Sequence, residues 1–333
     1  MGSQFVDLNA DGHLDYLSAT FDGSPHISYG SDEGFAEPVR LKDANGERIL
    51  ISSFWNYEDE EHQDTGRSMA DGKARDERCI SALAFDWDAD GDYDLLLGSY
   101  EEGHLYRQMN QGTKAKPAFT GQNIPVMAGG KPFSLPPHMT TPKLVDWDAD
   151  GDLDIVAGTF KSEDETLGGG VYLSLNEGQS GAPVFGAIQT LIAPVPAEGT
   201  EPLRPDTGLY PDPVDFDGDG DLDLIVGGYS AWTPPGRELT AEEKSRAADL
   251  TKQIADAEQK QQLIWDTIAQ EVIKEGEEDE EAVDAIYKKY RKEIDDLWDQ
   301  SSAAKKERKA LIPVPERSSF VWFYERLSPP PSN

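Results

Sequence analysis

One cysteine, Cys79, stands in a chain of 333 residues. That excludes an internal disulfide framework and leaves the redox compartment unread. No run approaches eighteen uninterrupted apolar residues, so no segment reads as a membrane-spanning helix. Basic side chains are scarce: 30 Lys and Arg stand against 64 Asp and Glu, a formal charge of −34. A chain this acidic repels nucleic acid and anionic membranes, and neither is expected as a partner. Catalytic signatures are missing too. There is no Gly-x-Ser-x-Gly, His-Glu-x-x-His, phosphate loop or Cys-x-x-Cys. No signal peptide opens the chain, and Val6 stands where a myristoylation site needs Ser or Thr.

What the chain has in excess is aspartate, in one pattern. Asp146-Trp-Asp-Ala-Asp-Gly-Asp-Leu-Asp154 places oxygen-bearing side chains at positions 1, 3, 5 and 9 and glycine at position 6. That spacing suits a hard cation, because Ca²⁺ takes about six to eight oxygens and a tight loop offers alternate side chains plus one carbonyl. The glycine permits the backbone angle that curls the loop. Asp86–Asp94 and Asp215–Asp223 repeat the pattern in full, and Asp7–Asp15 repeats it with Asn9 at position 3. An Asp/Gly-rich stretch by itself is an ordinary turn. Four copies in one register, each running into an apolar segment (Tyr16-Leu17, Leu95-Leu96-Leu97, Ile155-Val156, Leu224-Ile225-Val226), read as metal loops entering strands. An EF-hand would instead end in a bidentate Glu at position 12 and enter a helix.

The loops begin recurring units. After the second and third, Gly103-His-Leu-Tyr-Arg-Gln-Met-Asn110…Ala118-Phe119 parallels Gly170-Val-Tyr-Leu-Ser-Leu-Asn176…Val184-Phe185, and His26…Gly34-Phe35 is a shorter version. A unit of about 60 residues with four short strands is a propeller blade. The units resemble FG-GAP (VCBS-type) repeats, the blades of integrin alpha-chain propellers and of many secreted bacterial propellers. The resemblance covers residues 4 to about 233 and 318–328. It implies an all-β fold, a β-propeller of FG-GAP-type blades binding up to four Ca²⁺. The implied side-chain ligands are Asp7, Asn9, Asp11, Asp15; Asp86, Asp88, Asp90, Asp94; Asp146, Asp148, Asp150, Asp154; and Asp215, Asp217, Asp219, Asp223. Position 7 (His13, Asp92, Asp152, Asp221) adds its carbonyl. Only four repeats are visible and the last ends at its third strand. We therefore expect a larger ring from which N-terminal blades are missing, together with a signal peptide, hence a secreted, periplasmic or cell-surface protein.

Residues 238–312 break the pattern. Thr240-Ala-Glu-Glu243 is a capping box, and Leu250, Ile254, Ala257, Gln261, Ile264 and Ile268 recur at alternating spacings of 4 and 3. Gly276 and Glu277–Glu281 interrupt the series, which resumes at Val283, Ile286, Tyr290, Ile294, Leu297, Ser301, Ala304 and Leu311. This predicts an antiparallel coiled-coil hairpin with arms of about 45–50 Å, inserted between strands 2 and 3 of the last blade. The expected boundaries are 1–237 for blades, 238–312 for the hairpin, 313–328 for the return strand and 329–333 for a disordered tail.

In an antiparallel blade the 1–2 loops share one end with the 3–4 loops. The longer connections (53–79, 132–142, 159–170, 198–211 and the hairpin) gather at the other, where function concentrates. Six residues past each last ligand stands an aromatic: Phe21, Tyr100, Phe160 and Tyr229. Packing is one reading and a ring of stacking platforms the other. Trp55, Tyr57 and Trp232 belong to the same loops. His26, His62, His104 and His138 follow the same parity, as surface histidines or as a metal or general-base cluster. Trp87, Trp147 and Phe216 read as packing between blades, and Trp265 and Trp298 as seam neighbours or partner-facing anchors. The expected function is a binding module for glycan or protein, with the hairpin as a docking arm. The alternatives are a propeller-type polysaccharide lyase or hydrolase using His104 or His138 with Arg78 or Tyr100, and a purely structural domain.

Overall fold

A computed structural model of the chain describes residues 2–56, 60–65, 76–136, 138–161, 166–196, 203–275 and 280–327. Tyr57, the break at 276–279 and the tail 329–333 lie outside them. The chain divides into two compact units, Met1–Trp232 with Arg317–Asn333, and Thr233–Glu316.

Four sheets of antiparallel strands make the first unit. The first sheet holds β1 (Ser3–Val6), β2 (Asp15–Ala19), β3 (Pro25–Ser28) and β4 (Val39–Arg40), in that order. A two-stranded hairpin, β5 (Phe54–Asn56) and β6 (Glu61–Gln63), precedes the second sheet of β7 (Cys79–Phe85), β8 (Asp94–Ser99), β9 (Leu105–Gln108) and β10 (Ile124–Pro125). A second hairpin, β11 (Met127–Ala128) and β12 (Lys131–Pro132), leads to β13 (Met139–Val145), β14 (Asp154–Thr159), β15 (Val171–Ser174) and β16 (Gln189–Ile192) of the third sheet. The fourth has three strands, β17 (Thr207–Val214), β18 (Asp223–Trp232) and β19 (Glu316–Tyr324). The two small hairpins were not anticipated, because runs of two or three residues carry no periodicity to read.

Each Asp loop ends where the second strand of its sheet begins, and in the second and third sheets that strand is apolar without alternation for a reason. Sheets stacked on both sides bury both of its faces. Leu95 and Leu97 join Leu17 and Ile27 of the first sheet in one core, whereas Leu96 joins Ile155 and Ala157 of the third sheet in the next. Val156 then points the other way, into a core shared with Leu224 and Val226 of the fourth. Fully burying each such side chain contributes about 1.5–3 kcal/mol. Close approach of the third and fourth sheets needs glycine at 158, where a Cβ would lie 2.0 Å from the Leu209 carbonyl oxygen of β17. The sheets thus stack first on second, second on third and third on fourth. No hydrophobic cluster joins the first to the fourth among the described residues.

The second unit is a pair of helices, α1 (Ala241–Glu275) and α2 (Glu280–Leu311). The capping box closes at the start of α1. Glu243 N–H donates to Thr240 Oγ1 at 3.3 Å, and Thr240 N–H donates to Glu243 Oε2 at 2.9 Å. Ala257, Ile264, Ile268, Ile286 and Leu297 form the seam. Arg246–Glu307 (2.6 Å), Lys289–Glu271 (2.9 Å) and Lys305–Glu258 (2.8 Å) pair the two helices in antiparallel sense. α2 begins at Glu280, so the acidic break is shorter than the sequence implied: Glu280 and Glu281 are helical.

Because β18 and β19 neighbour each other in the sheet, the helices leave and return at adjacent strands. Replacing 238–312 by a short Gly/Ser linker should remove helical circular dichroism and leave the sheets cooperatively folded. Insoluble protein would show that the helices are needed by the sheets.

Candidate metal loops and the aromatic end

The loops are built by their own carboxylates. In the first three, the position-1 aspartate accepts the backbone N–H groups of positions 5 and 6: Asp11 and Gly12 on Asp7 (3.0 and 3.1 Å), Asp90 and Gly91 on Asp86 (3.2 and 3.1 Å), Asp150 and Gly151 on Asp146 (3.0 and 3.1 Å). Position 5 in turn accepts from position 7, as Asp92 N–H does to Asp90 Oδ1 at 3.0 Å. The curl drives position 4 into the left-handed region, at φ of 55°, 57° and 61° for Ala10, Ala89 and Ala149. That conformation costs an L-residue roughly 1–2 kcal/mol. The fourth loop has Gly218 there, and its N–H donates to Asp215 Oδ1 at 2.7 Å, a tighter turn than the others.

Position 9 has a role the sequence did not disclose. Its carboxylate is buried in every copy, and both oxygens accept backbone N–H groups. One donor is position 2 of the same loop: Leu8 to Asp15 at 3.0 Å, Trp87 to Asp94 at 3.0 Å, Trp147 to Asp154 at 2.8 Å, Phe216 to Asp223 at 3.3 Å. The other comes from just beyond the third strand: Gly30, Asn110, Asn176 and Arg326, at 2.9, 2.6, 2.7 and 2.8 Å. Asn110 and Asn176 then accept two further N–H groups each and shape the 3–4 loops (Gly112 and Ala118; Gly178 and Val184). The parallel spacing of the two asparagines was the available signal.

Three groups of carboxylates have oxygens within 4.8 Å of one another: Asp86/Asp88/Asp90, Asp146/Asp148/Asp154 and Asp215/Asp217/Asp219. Burial pushes Asp94 and Asp154 above the usual carboxylate range, against the pull of their N–H donors, and the charges of Asp88 and Asp92 add to it at Asp94 and those of Asp148 and Asp150 at Asp154. Burial and the neighbouring carboxylates raise Asp92 and Asp152 likewise, and Asp152 Oδ1 is buried without a hydrogen-bond partner. Crowded, half-desolvated carboxylates with an unmatched oxygen fit a divalent cation. In the first loop Asn9 Nδ2 donates to Asp11 Oδ2 at 3.0 Å, so the neutral ligand already engages one of the three acids.

At the far end of each second strand the four aromatics converge. Ring centroids are 5.3 Å apart for Phe21–Tyr100, 6.4 Å for Tyr100–Phe160 and 6.3 Å for Phe160–Tyr229, one ring from each sheet. Tyr210 joins at 6.4 Å from Phe160, and His138 lies 4.5 Å from Tyr100. Arg78 stands 5.7 Å over Phe21 and Arg317 3.4 Å over Tyr229. A small cavity of about 90 Å³ opens among Phe21, Tyr100, Phe160, Tyr210 and Met139. Two clefts of about 210 Å³ each flank Trp87 and Trp147 where neighbouring sheets meet. Their repetition at equivalent places makes them features of the junction.

Tyr100 is held firmly. Its N–H donates to the Arg78 carbonyl at 3.1 Å, Arg78 pairs with Glu101 at 2.8 Å, and Glu77 Oε1 accepts the Glu102 N–H at 3.1 Å. Among the other expected site residues, His26 is bound to Asp22 at 3.1 Å, His62 to Asp76 at 2.9 Å, and His104 is buried. Only His138 reaches the row, and no described group of metal-ligating side chains contains a histidine. Trp55 lies on its own small hairpin, Trp232 Nε1 donates to Ser318 Oγ at 3.2 Å, and neither joins the row among the described residues. Trp87 and Trp147 are packed as expected, under Arg107 (4.8 Å) and Arg326 (4.9 Å). Phe216 is not. It is 63 % exposed.

Stacked antiparallel sheets, each with an acidic nine-residue loop between its first two strands, define a repeat protein. Residues 86–157 and 146–226 match the FG-GAP-like repeat family, so that stretch carries FG-GAP-type repeats. No curated protein matches it.

Burial pushes the Glu77 carboxyl up to about 8. The acid is neutral in the folded chain where it would be ionised unfolded, so its burial costs nothing below about pH 4.5 and progressively more as pH rises to about 8. Glu77→Gln should therefore match the wild type near pH 5 and exceed its thermal midpoint at pH 8. Equal midpoints at both pH values would contradict the assignment.

Proposed function

We propose that the chain is a calcium-stabilised, β-propeller-type interaction module whose ligand, a glycan or a protein, docks on the aromatic end opposite the Asp loops. The observation that carries this reading is the continuous row Phe21–Tyr100–Phe160–Tyr229, drawn from all four sheets. Apolar ring faces beside Glu101, Arg78 and Arg317 combine stacking area with orienting charge, which is how sugars and protein side chains are bound. Calcium would be held by the position 1, 3, 5 and 9 side chains, where it supplies the positive charge that the crowded carboxylates lack. Loops without a bidentate Glu suit the millimolar calcium outside cells, in keeping with a secreted, periplasmic or surface setting. The helical pair, with Trp265 and Trp298 exposed, serves in this reading as a docking arm.

A lyase-like reading draws on one observation, that Tyr100, His138 and Arg78 gather at the row. Two features oppose it. Burial raises the Tyr100 hydroxyl pKa, whereas a catalytic base needs it lowered, and Arg78 is committed to Glu101.

Two measurements test the proposal. The thermal midpoint should rise with millimolar Ca²⁺ and fall with chelator, because ion bound to the folded state stabilises it by mass action. A midpoint indifferent to both would remove calcium from the account. Tyr100→Ala with Phe160→Ala should abolish binding found in a glycan array or pull-down and leave the calcium response intact. Binding that survives them, and is lost on changing 111–117, would move the site to the loop end.

A further inference from the structure

The three junctions between sheets use the same positions every time. Looking toward the following sheet, each unit offers loop position 2 and the second residue after the loop: Leu8 and Leu17, Trp87 and Leu96, Trp147 and Val156. Looking back, each offers the first and third residues after the loop, joined in the four-stranded sheets by the phenylalanine of the 3–4 loop. Leu95, Leu97 and Phe119 do so in the second unit, Ile155, Ala157 and Phe185 in the third, and the fourth offers Leu224 and Val226. Phe185 meets Trp87 across the junction with ring centroids 6.0 Å apart.

By that rule two half-junctions remain. The forward half on the fourth sheet is Phe216 and Ile225, extended by Val321 and Phe323; Phe216 and Phe323 stack at 5.0 Å, and Val321 is 77 % exposed. Trp87 and Trp147, at the position of Phe216, are only 7 and 8 % exposed. The backward half on the first sheet is Tyr16 with Phe5 and Phe35, whose rings cluster at 5.2 and 5.9 Å. All three are exposed. Phe35 is the counterpart of Phe119 and Phe185. An exposed forward half and an exposed backward half of one repeated contact are complementary to each other.

We propose that the fourth sheet of one copy of this chain docks on the first sheet of a second copy, head to tail, repeating the junction made three times within the chain. This rests on the stacking order of the sheets and is independent of the ligand proposed for the aromatic end. The contact is weaker than the internal ones. Ser18 occupies the place of Leu97 and Ala157, so the backward half is less apolar, and two chains of −34 repel. Bound cation and salt reduce that repulsion. Head-to-tail contacts are heterologous, and two copies satisfy both halves only if the ring closes.

Sedimentation of the full chain in millimolar Ca²⁺ and 0.15 M salt, over roughly micromolar to hundreds of micromolar, should give twice or a higher multiple of the chain mass. Phe216→Asp and Phe35→Asp should each be monomeric with an unchanged thermal midpoint. Mixed together they should form one-to-one pairs, since each retains the half that the other lost. Should Phe216→Asp fail to fold, Val321→Asp on the same face replaces it. A monomer at every concentration would overturn the proposal and leave these faces to a repeat unit from elsewhere. So would self-association that persists in Phe35→Asp alone, which would mean a symmetric contact.

Discussion

The buried aspartate at position 9 is the interaction on which the sheets depend. A carboxylate removed from water must be repaid by donors, and here two backbone N–H groups from different parts of the unit meet on it. One closes the acidic loop onto itself. The other ties that loop to the end of the third strand, as Asp94 does through Asn110 and Asp154 through Asn176. Each charge-assisted bond contributes about 1.5–3 kcal/mol, more than the left-handed alanine of the loop costs. The same burial leaves Asp94 and Asp154 reluctant to ionise. A cation at the loop would complete what the two N–H groups begin.

From this clamp follows a division of labour between the two ends of the sheets. The loop end collects negative charge and rigid turns, and its chemistry is spent on holding strands together. At the other end the second strands release one aromatic each into a shared row, braced by Glu77, Arg78 and Glu101 around Tyr100. The rings there are partly exposed above a rigid support. The stacked cores between these ends are buried, with Leu95, Leu96 and Leu97 serving two junctions at once.

Much of this was legible beforehand, for a physical reason. The loop and its following strand are made by contiguous residues, so ligand spacing, glycine and apolar run appear together in the chain. The capping box Thr240–Glu243 and the helical seam are local in the same sense. What escaped notice is non-local or lacks a side-chain signature. The second donor to Asp94 is a backbone N–H sixteen residues away. The strand Leu95–Leu97 is apolar on both faces, and no pattern within it tells which residue meets which neighbour. Spacing alone placed Phe21, Tyr100, Phe160 and Tyr229 at one end, and only packing could decide that they touch while Trp55 and Trp232 do not. Phe216 was misjudged because its sequence context equals that of Trp87 and Trp147. Its exposure depends on having no fifth sheet beside it among the described residues.

Amide hydrogen exchange on Asp154→Ala, measured without added metal, tests the clamp most directly. If the carboxylate holds both segments, protection at Trp147 N–H and Asn176 N–H falls together by about tenfold to a hundredfold, while Val156 in the middle of the strand keeps its protection. Asn176 as protected as in the wild type would contradict the account.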